Sequence, residues 1–158
     1  MGIWGKNHEI EGYNTAVNME LVFPTYPIKI ENREGNLQVW DMIRRKWIIL
    51  QKEEYVRQQL IQHMILGKEI SKGRISVEKE IRYQKLRKRF DIVVYDSFGK
   101  PFILCEIKSP EIPLSQDTLN QISQYNSVIQ APHLLVTNGL ELWFFSLDEA
   151  GKYQMKEW

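Results

Sequence analysis

The chain has 158 residues, 43% of them hydrophobic, which is the length and apolar content of one globular domain. Its 21 basic and 20 acidic side chains give a formal charge of +1, which excludes a disordered polyelectrolyte and any overall basic character. The single cysteine, Cys105, excludes an intramolecular disulfide framework and a cysteine-based zinc finger. No stretch has the pattern of a signal peptide or a transmembrane helix, so we expect a cytoplasmic protein without a membrane partner.

Residues 1–36 have little regular pattern and contain Pro24 and Pro27 and a turn-like segment at residues 32–36. We predict that they form an N-terminal extension or an added edge element. The domain proper is expected to cover residues 37–158.

Apolar periodicity predicts seven strands and two helices in that domain. The strands are expected at residues 37–40, 47–50, 75–81, 90–95, 102–107, 134–137 and 140–145, and the helices at residues 53–66 and around residues 119–129. The predicted strands at residues 90–95 and 102–107 are nearly continuous apolar runs, which are typical of strands covered on both faces. The order helix, three strands, helix, strand predicts an α/β (α+β) fold, with one mixed sheet flanked by helices and added hairpins at its ends.

Three ionisable residues stand where a buried strand should be apolar. Asp91 interrupts one apolar run, and Glu106 and Lys108 bracket Ile107 at the end of the next. An unpaired charge in a protein interior costs several kcal/mol, so these positions require an explanation. If the two runs pair as a hairpin, Asp91 near the start of one lies across from Glu106 near the end of the other.

Two carboxylates that close repel each other, by about 4 kcal/mol at 4 Å for an effective dielectric of 20. Protonation of one carboxyl, or a divalent cation between the two, would relieve this repulsion. Oxygen ligands favour a hard ion, Mg²⁺ or Mn²⁺, over zinc. The competing interpretation is a partly buried ion pair of Lys108 with Glu106 or Asp91.

Asp91 followed after a hairpin by Glu106-Ile107-Lys108 resembles the PD-(D/E)XK motif of the restriction-endonuclease-like nuclease superfamily, although Phe90 stands in place of the proline. More narrowly, residues 51–145 resemble the nuclease domain at the N terminus of type I restriction enzyme R subunits. Four local matches carry this resemblance: Glu53-Glu54-Tyr55-Val56-Arg57, Asp91-Ile92-Val93-Val94, Glu106-Ile107-Lys108-Ser109-Pro110 and Gln121-Ile122-Ser123-Gln124-Tyr125.

The resemblance implies a role for each matching position. Asp91 and Glu106 would bind Mg²⁺ or Mn²⁺, with the Ile107 carbonyl as a third ligand, and Lys108 would position or help to deprotonate the attacking water. Glu53 would be the acid of the first helix, and we prefer it to Glu54 because it shares a helix face with apolar residues. The alternative for Glu53 is a carboxylate that only faces the positive end of the helix dipole.

Two groups of residues are candidates for DNA binding. Gln121 and Tyr125 are four positions apart and share a helix face, although a buried tyrosine with a hydrogen-bonded glutamine is the competing account. Residues 72–100 hold 9 basic and 4 acidic side chains, a local excess that can attract phosphate or can simply solvate a hairpin edge. The basic candidates are Lys85, Arg87, Lys88 and Arg89.

The resemblance therefore implies a Mg²⁺-dependent deoxyribonuclease with DNA and other restriction-modification subunits as partners. Type I R subunits continue into an ATP-driven translocase, but this chain contains no G-x-x-x-x-G-K-[ST] phosphate loop, so we expect no ATP site in it. Two alternatives stay open. One is a non-catalytic nucleic-acid-binding module of a restriction complex, and the other is a structural or protein-interaction domain with a buried ion-pair network.

Overall fold

The computed structural model describes residues 19–158, which form two sheets and two α-helices. The smaller sheet is antiparallel, in the order β1 (Ile30–Arg33), β2 (Asn36–Asp41), β3 (Lys46–Ile49). The main sheet has its strands in chain order: β4 (Ile75–Tyr83), β5 (Leu86–Tyr95), β6 (Pro101–Ile107), β7 (His133–Thr137), β8 (Leu142–Leu147) and β9 (Tyr153–Lys156). Helix α1 (Lys52–Gln62) precedes β4, and helix α2 (Gln116–Ile129) connects β6 to β7.

The predicted order of helix, three strands, helix, strand is confirmed. Strands β4, β5 and β6 are antiparallel neighbours, and β7 pairs parallel to β6 because the chain crosses over through α2. The main sheet is therefore mixed, as predicted. The prediction of one sheet is wrong, since the strands within residues 37–50 pair with each other and with β1 in a sheet of their own.

The two helices pack on opposite faces of the main sheet. On one face, Val56 and Leu60 of α1 are fully buried in a core that includes Ile92 and Cys105. On the other, Ile122 of α2 packs in a second core. Side chains of β5 and β6 are thus covered on both faces, as their continuous apolar runs predict.

Gly139, in the turn before β8, sets how closely α1 approaches the sheet. Its φ is +88°, and a Cβ placed there would lie 2.8 Å from a methyl carbon of Val56. A larger residue would therefore be strained in its backbone and would push the helix away.

The apolar side chains of the β4–β5 hairpin face α1 in one half of the hairpin and α2 in the other. Val77 and Ile92 pair with each other and face α1, whereas Ile81 and Phe90, nearer the hairpin tip, pack on the α2 side. Glu78 has a left-handed φ of 52°, which interrupts the regular alternation of a strand at this point. Asp91, between Phe90 and Ile92, lies where β5 makes this change.

Strand β1 lies within the segment predicted to be an extension and forms the outer strand of the small sheet, where Ile30 pairs with Val39. The boundary between residues 36 and 37 stays a prediction, and residues 1–18 of the predicted extension lie outside the described residues. Within residues 19–158, no helix is long and apolar enough to span a bilayer.

Candidate active site

Asp91 connects two strands and a helix. Ile92 pairs with Cys105, so Asp91 and Glu106 occupy the next positions on β5 and β6. Asp91 Oδ2 accepts a hydrogen bond of 2.8 Å from the backbone N–H of Ile107, and Oδ1 accepts one of 2.8 Å from Arg57 Nη2 of α1. The carboxylate is thereby fixed at the end of β6, beside the start of the first helix.

Glu106 is a buried carboxyl with an unsatisfied oxygen. Its side chain is 13% exposed, and the ammonium of Lys88 lies 3.4 Å from Oε1. That contact is an ion pair but not a well-directed hydrogen bond, and among residues 19–158 Oε1 has no hydrogen-bond partner. Burial and the nearby charge of Asp91 raise the pKa of Glu106 to about 7, against the opposing effect of Lys88 and Lys108.

Lys108 follows β6 directly, and its backbone N–H donates to the Thr137 carbonyl at 2.9 Å. Its charge opposes the rise in the pKa values of both Glu53 and Glu106, so the ammonium acts on each of them electrostatically. Within the described part of the chain it forms no ion pair; the partner of Asp91 is Arg57 and that of Glu106 is Lys88. The ion pair of Lys108 with Glu106 or Asp91, which was the competing interpretation, is therefore not formed in this structure, and the role of Lys108 stays a prediction.

Glu53 and Glu54 differ in exposure at the start of α1. The Glu53 side chain is 42% exposed, and the Glu54 side chain is 7% exposed. Burial, and secondarily the charge of Asp91, raises the pKa of Glu53. Glu54 accepts hydrogen bonds from Arg44, Arg57 and Gln58, so its oxygens are already engaged. Of the two, Glu53 has the carboxylate that is open to solvent and close to Asp91.

Arg57 lies at the centre of this region, and the sequence interpretation assigned it no role. Its guanidinium contacts four carboxylates, those of Glu53, Glu54, Glu78 and Asp91. Burial disfavours the charged guanidinium, but the charges of Glu54 and Asp91 outweigh this and raise the pKa of Arg57. The spacing of Arg57, three and four residues after two glutamates, was the signal available in the sequence.

A second arginine, Arg44, extends the network toward the small sheet by pairing with Asp41, Glu54 and Glu78. The pKa of the buried Asp41 carboxyl would rise by burial alone, but hydrogen bonds from Arg44 and Gln58 lower it. A cleft of about 350 Å³ opens beside the network. It is lined by Arg44, Ile48, Ile49, Gln51, Glu53, Glu54, Arg57 and Glu78. Acidic groups outnumber the two arginines here, so the region attracts cations.

The donor set fits a divalent hard cation. In residues 19–158 no three His, Cys, Asp or Glu side chains are grouped to hold a metal, so an ion would depend on Asp91, Glu106 and a backbone carbonyl such as that of Ile107. The Glu106 oxygen that lacks a hydrogen bond within residues 19–158 is the observation that supports the fit, because a cation would coordinate it and offset the burial and the repulsion from Asp91 that raise the pKa of Glu106. All of these donors are oxygens, as Mg²⁺ and Mn²⁺ prefer.

The predicted DNA-binding residues are divided between two sides of the sheet. The half-buried Tyr125 of α2 lies over the ammonium of Lys88, which is 5.3 Å from the ring centre, and Gln121 on the same helix face is exposed. Lys85 is exposed at the hairpin tip. Arg87 and Arg89 are also exposed and lie close to acidic neighbours, 3.2 Å from Glu80 and 3.9 Å from Glu78.

The sequence profile of the family described as "Type I restriction enzyme R protein N terminus (HSDR_N)" matches residues 52–157, from the start of α1 to the end of β9. No curated protein matches the chain. Among solved structures, the fold is similar to that of a DUF820 protein from Anabaena variabilis ATCC 29413 that is described, provisionally, as a nuclease. The two chains are 14% identical with a TM-score of 0.45, and the similarity covers 84% of this chain and 79% of the other.

The matched region contains the whole core of helix, three strands, helix and strand, together with every candidate catalytic residue. The predicted order of elements around a mixed sheet and the predicted relationship to type I restriction enzyme R proteins are both confirmed. The chain belongs to the family of type I restriction enzyme R protein N-terminal domains.

Proposed function

We propose that the domain is a metal-dependent DNA endonuclease that hydrolyses phosphodiester bonds at the end of β6. The observation that carries the proposal is the buried oxygen of Glu106, which has an ion-pair contact but no hydrogen bond within residues 19–158, beside Asp91 and near the charge of Lys108. A buried acid with a strongly raised pKa beside a second acid is typical of a site that is completed by a cation.

Asp91 and Glu106 would hold Mg²⁺ or Mn²⁺ together with the Ile107 carbonyl. When bound, such an ion polarises the phosphate and lowers the pKa of a coordinated water. Lys108 would orient the attacking water and stabilise the negative charge that develops on the phosphate. Glu53, which is exposed and has a raised pKa, would accept the proton of that water.

The DNA would approach from the side of α2 that carries Tyr125 and Gln121, and from the tip of the β4–β5 hairpin. Of the basic candidates, the exposed Lys85 best supports this approach, because Arg87, Lys88 and Arg89 each lie close to a carboxylate. Phosphate contacts of this kind are independent of sequence and weaken as salt rises. In a restriction system, sequence recognition would be left to another subunit.

A plasmid-nicking assay with Mg²⁺ or Mn²⁺ tests the proposal. The wild-type domain is expected to convert supercoiled plasmid to open-circular and linear forms, and Asp91→Asn, Glu106→Gln and Lys108→Ala are each expected to abolish this. Glu149→Gln, an exposed acid in the turn after β8, is the matched control and should cleave as the wild type does. Cleavage that survives Asp91→Asn, or that persists in EDTA, would overturn the proposal.

One alternative has an observation of its own. The ion pairs of Arg57 with four carboxylates favour a domain in which the buried charges only hold α1 to the sheet. In that case the wild-type protein binds no divalent cation, and calorimetric titration with Mn²⁺ separates the two functions.

A further inference from the structure

The outer face of the small sheet carries a pair of tryptophans that the candidate active site does not use. Trp40 of β2 and Trp47 of β3 are directly opposite in register, with ring centres 5.6 Å apart in an edge-to-face arrangement. Val39, which precedes Trp40, and its strand partner Ile30 are buried in the core on the other face of this sheet. Ile49, two residues after Trp47 and on its face, is 55% exposed. The tryptophan pair therefore faces away from the core.

Cations flank this pair on one side. Lys29 Nζ lies 5.2 Å from the centre of the Trp47 ring, and Arg33 Cζ lies 4.6 Å from it. Both side chains also pair with Glu31, at 3.7 and 3.4 Å, so this end keeps one positive charge in excess.

On the other side Trp40 lines a cleft of about 620 Å³ between the β2–β3 turn and the start of β4. Two basic side chains, Arg45 and Lys72, line the same cleft from different segments of the chain. Neither forms an ion pair with any carboxylate in residues 19–158, and no acidic side chain lines the cleft. This cleft thus combines an aromatic wall with two cations that no carboxylate of the described residues neutralises.

We infer that these six residues, Lys29, Arg33, Trp40, Arg45, Trp47 and Lys72, form a tryptophan band that binds single-stranded nucleic acid. Unpaired bases would stack on the indole rings, and the phosphates would lie against the cations at either end. Stacked aromatic side chains with flanking basic groups are the common features of single-strand binding surfaces. In a duplex the base faces are covered by their neighbours, so an indole surface selects a strand whose bases are exposed. The inference goes beyond cleavage, because the band lies on the small sheet and the candidate active site lies on the main sheet.

The test is binding of a fluorescein-labelled oligothymidylate of about 16 nucleotides, long enough for one domain, measured by anisotropy in EDTA. Trp47→Leu, which keeps an apolar side chain and removes the ring, is expected to raise Kd by about tenfold or more. The double variant Arg45→Asn with Lys72→Gln should raise Kd similarly and lower the slope of log K against log salt by about 1.4. Asparagine suits the left-handed φ of 55° at Arg45.

The matched control is Lys100→Gln with Lys152→Gln, which removes two charges from exposed turns elsewhere and should bind as the wild type does. Circular dichroism melting of each variant separates lost binding from lost folding. The inference is overturned if neither tryptophan-band variant binds the oligonucleotide more weakly than the control does. It is also overturned if a duplex of equal length binds as tightly, or if thymidine monophosphate competes at a concentration equal to that of the oligonucleotide.

Cleavage and this binding can fail separately. Asp91→Asn is expected to bind the oligonucleotide with wild-type affinity, since the band contains no catalytic candidate. A protein that binds the oligonucleotide through the band but nicks no plasmid would remove the proposed function and leave this inference standing. A protein that nicks plasmid but does not bind the oligonucleotide would support the proposed function and overturn this inference.

Discussion

Arg57 donates a hydrogen bond of 2.8 Å to Asp91, so the residue proposed as a metal ligand already has a cationic partner. The two are compatible, because a carboxylate has about four lone-pair positions. Arg57 occupies one on Oδ1 and the Ile107 N–H occupies one on Oδ2, which leaves one position on each oxygen. Arg57 therefore holds Asp91 in place and still permits a further cation to bind it.

Arg57→Met should strongly destabilise the domain, because it leaves up to four carboxylates without their shared cation. Removing one member of a buried ion pair typically costs about 3–5 kcal/mol, which corresponds to a fall in Tm of roughly 6–20 °C for a domain of this size. Thermal melting followed by circular dichroism measures this. Arg82→Met, which removes an exposed arginine paired with Glu80, is the control and should cost about 1 kcal/mol or less. Equal melting temperatures for the two variants would show that the Arg57 network contributes little.

Lys108→Ala should separate chemistry from stability. Its ammonium has no carboxylate partner in residues 19–158, so we expect a change in stability within about 0.5 kcal/mol, no loss of Mn²⁺ binding, and no cleavage of plasmid. Melting, metal titration and the nicking assay are compared with those of Lys100→Ala, an exposed lysine in the β5–β6 turn. A drop in Tm of several degrees for Lys108→Ala alone would instead indicate a structural ion pair.

The raised pKa of Glu106 predicts that the free energy of unfolding falls as the pH rises through neutrality. Its pKa in the folded protein, about 7, is above the ordinary value of 4.5, so the folded state binds this proton more tightly than the unfolded state does. Below pH 4.5 the carboxyl is protonated in both states and no charge is buried. Above about pH 7 the folded protein buries a charged carboxylate, and this lowers the free energy of unfolding by at most about 3 kcal/mol. Without metal, the wild type should lose stability between about pH 5 and pH 8 relative to Glu106→Gln.

Denaturant unfolding at a series of pH values checks this, with Glu149→Gln as the control because Glu149 is exposed. Saturating Mn²⁺ at about pH 8 should remove most of the difference, since the ion neutralises the charge that burial penalises. Parallel pH profiles for the wild type and Glu106→Gln would mean that Glu106 titrates as an ordinary glutamate.

The core elements were predictable because their signals are local. The apolar runs that contain β5 and β6 and the helical spacing of Val56, Leu60 and Met64 each determine an element within a few residues. Strand β9 was not predicted, because most of its side chains are exposed and it lacks an apolar alternation. The separate small sheet was not predictable either, since which strands share a sheet depends on pairing between distant segments.

The candidate site shows the same division. Asp91 and Glu106 stood out because they are charges in apolar strands, and hairpin pairing places them in adjacent register positions. Lys88 looked like one residue of a surface stripe, but the interruption of β4 and β5 near Glu78 turns it inward to Glu106. The role of Arg57 depends on where Glu78 and Asp91 lie relative to α1, which no local pattern reveals.

Isothermal titration with Mn²⁺ in metal-free buffer tests the central claim most directly. Wild-type protein and the control Glu149→Gln should bind the ion, and Asp91→Asn and Glu106→Gln should each weaken binding by more than about tenfold. The loss of a direct metal ligand must weaken binding more than the loss of a residue that only hydrogen-bonds to a ligand, which already costs about tenfold. Absence of binding to a folded wild-type protein, or unchanged binding by both variants, would contradict the account and leave Asp91 and Glu106 as parts of a structural charge network.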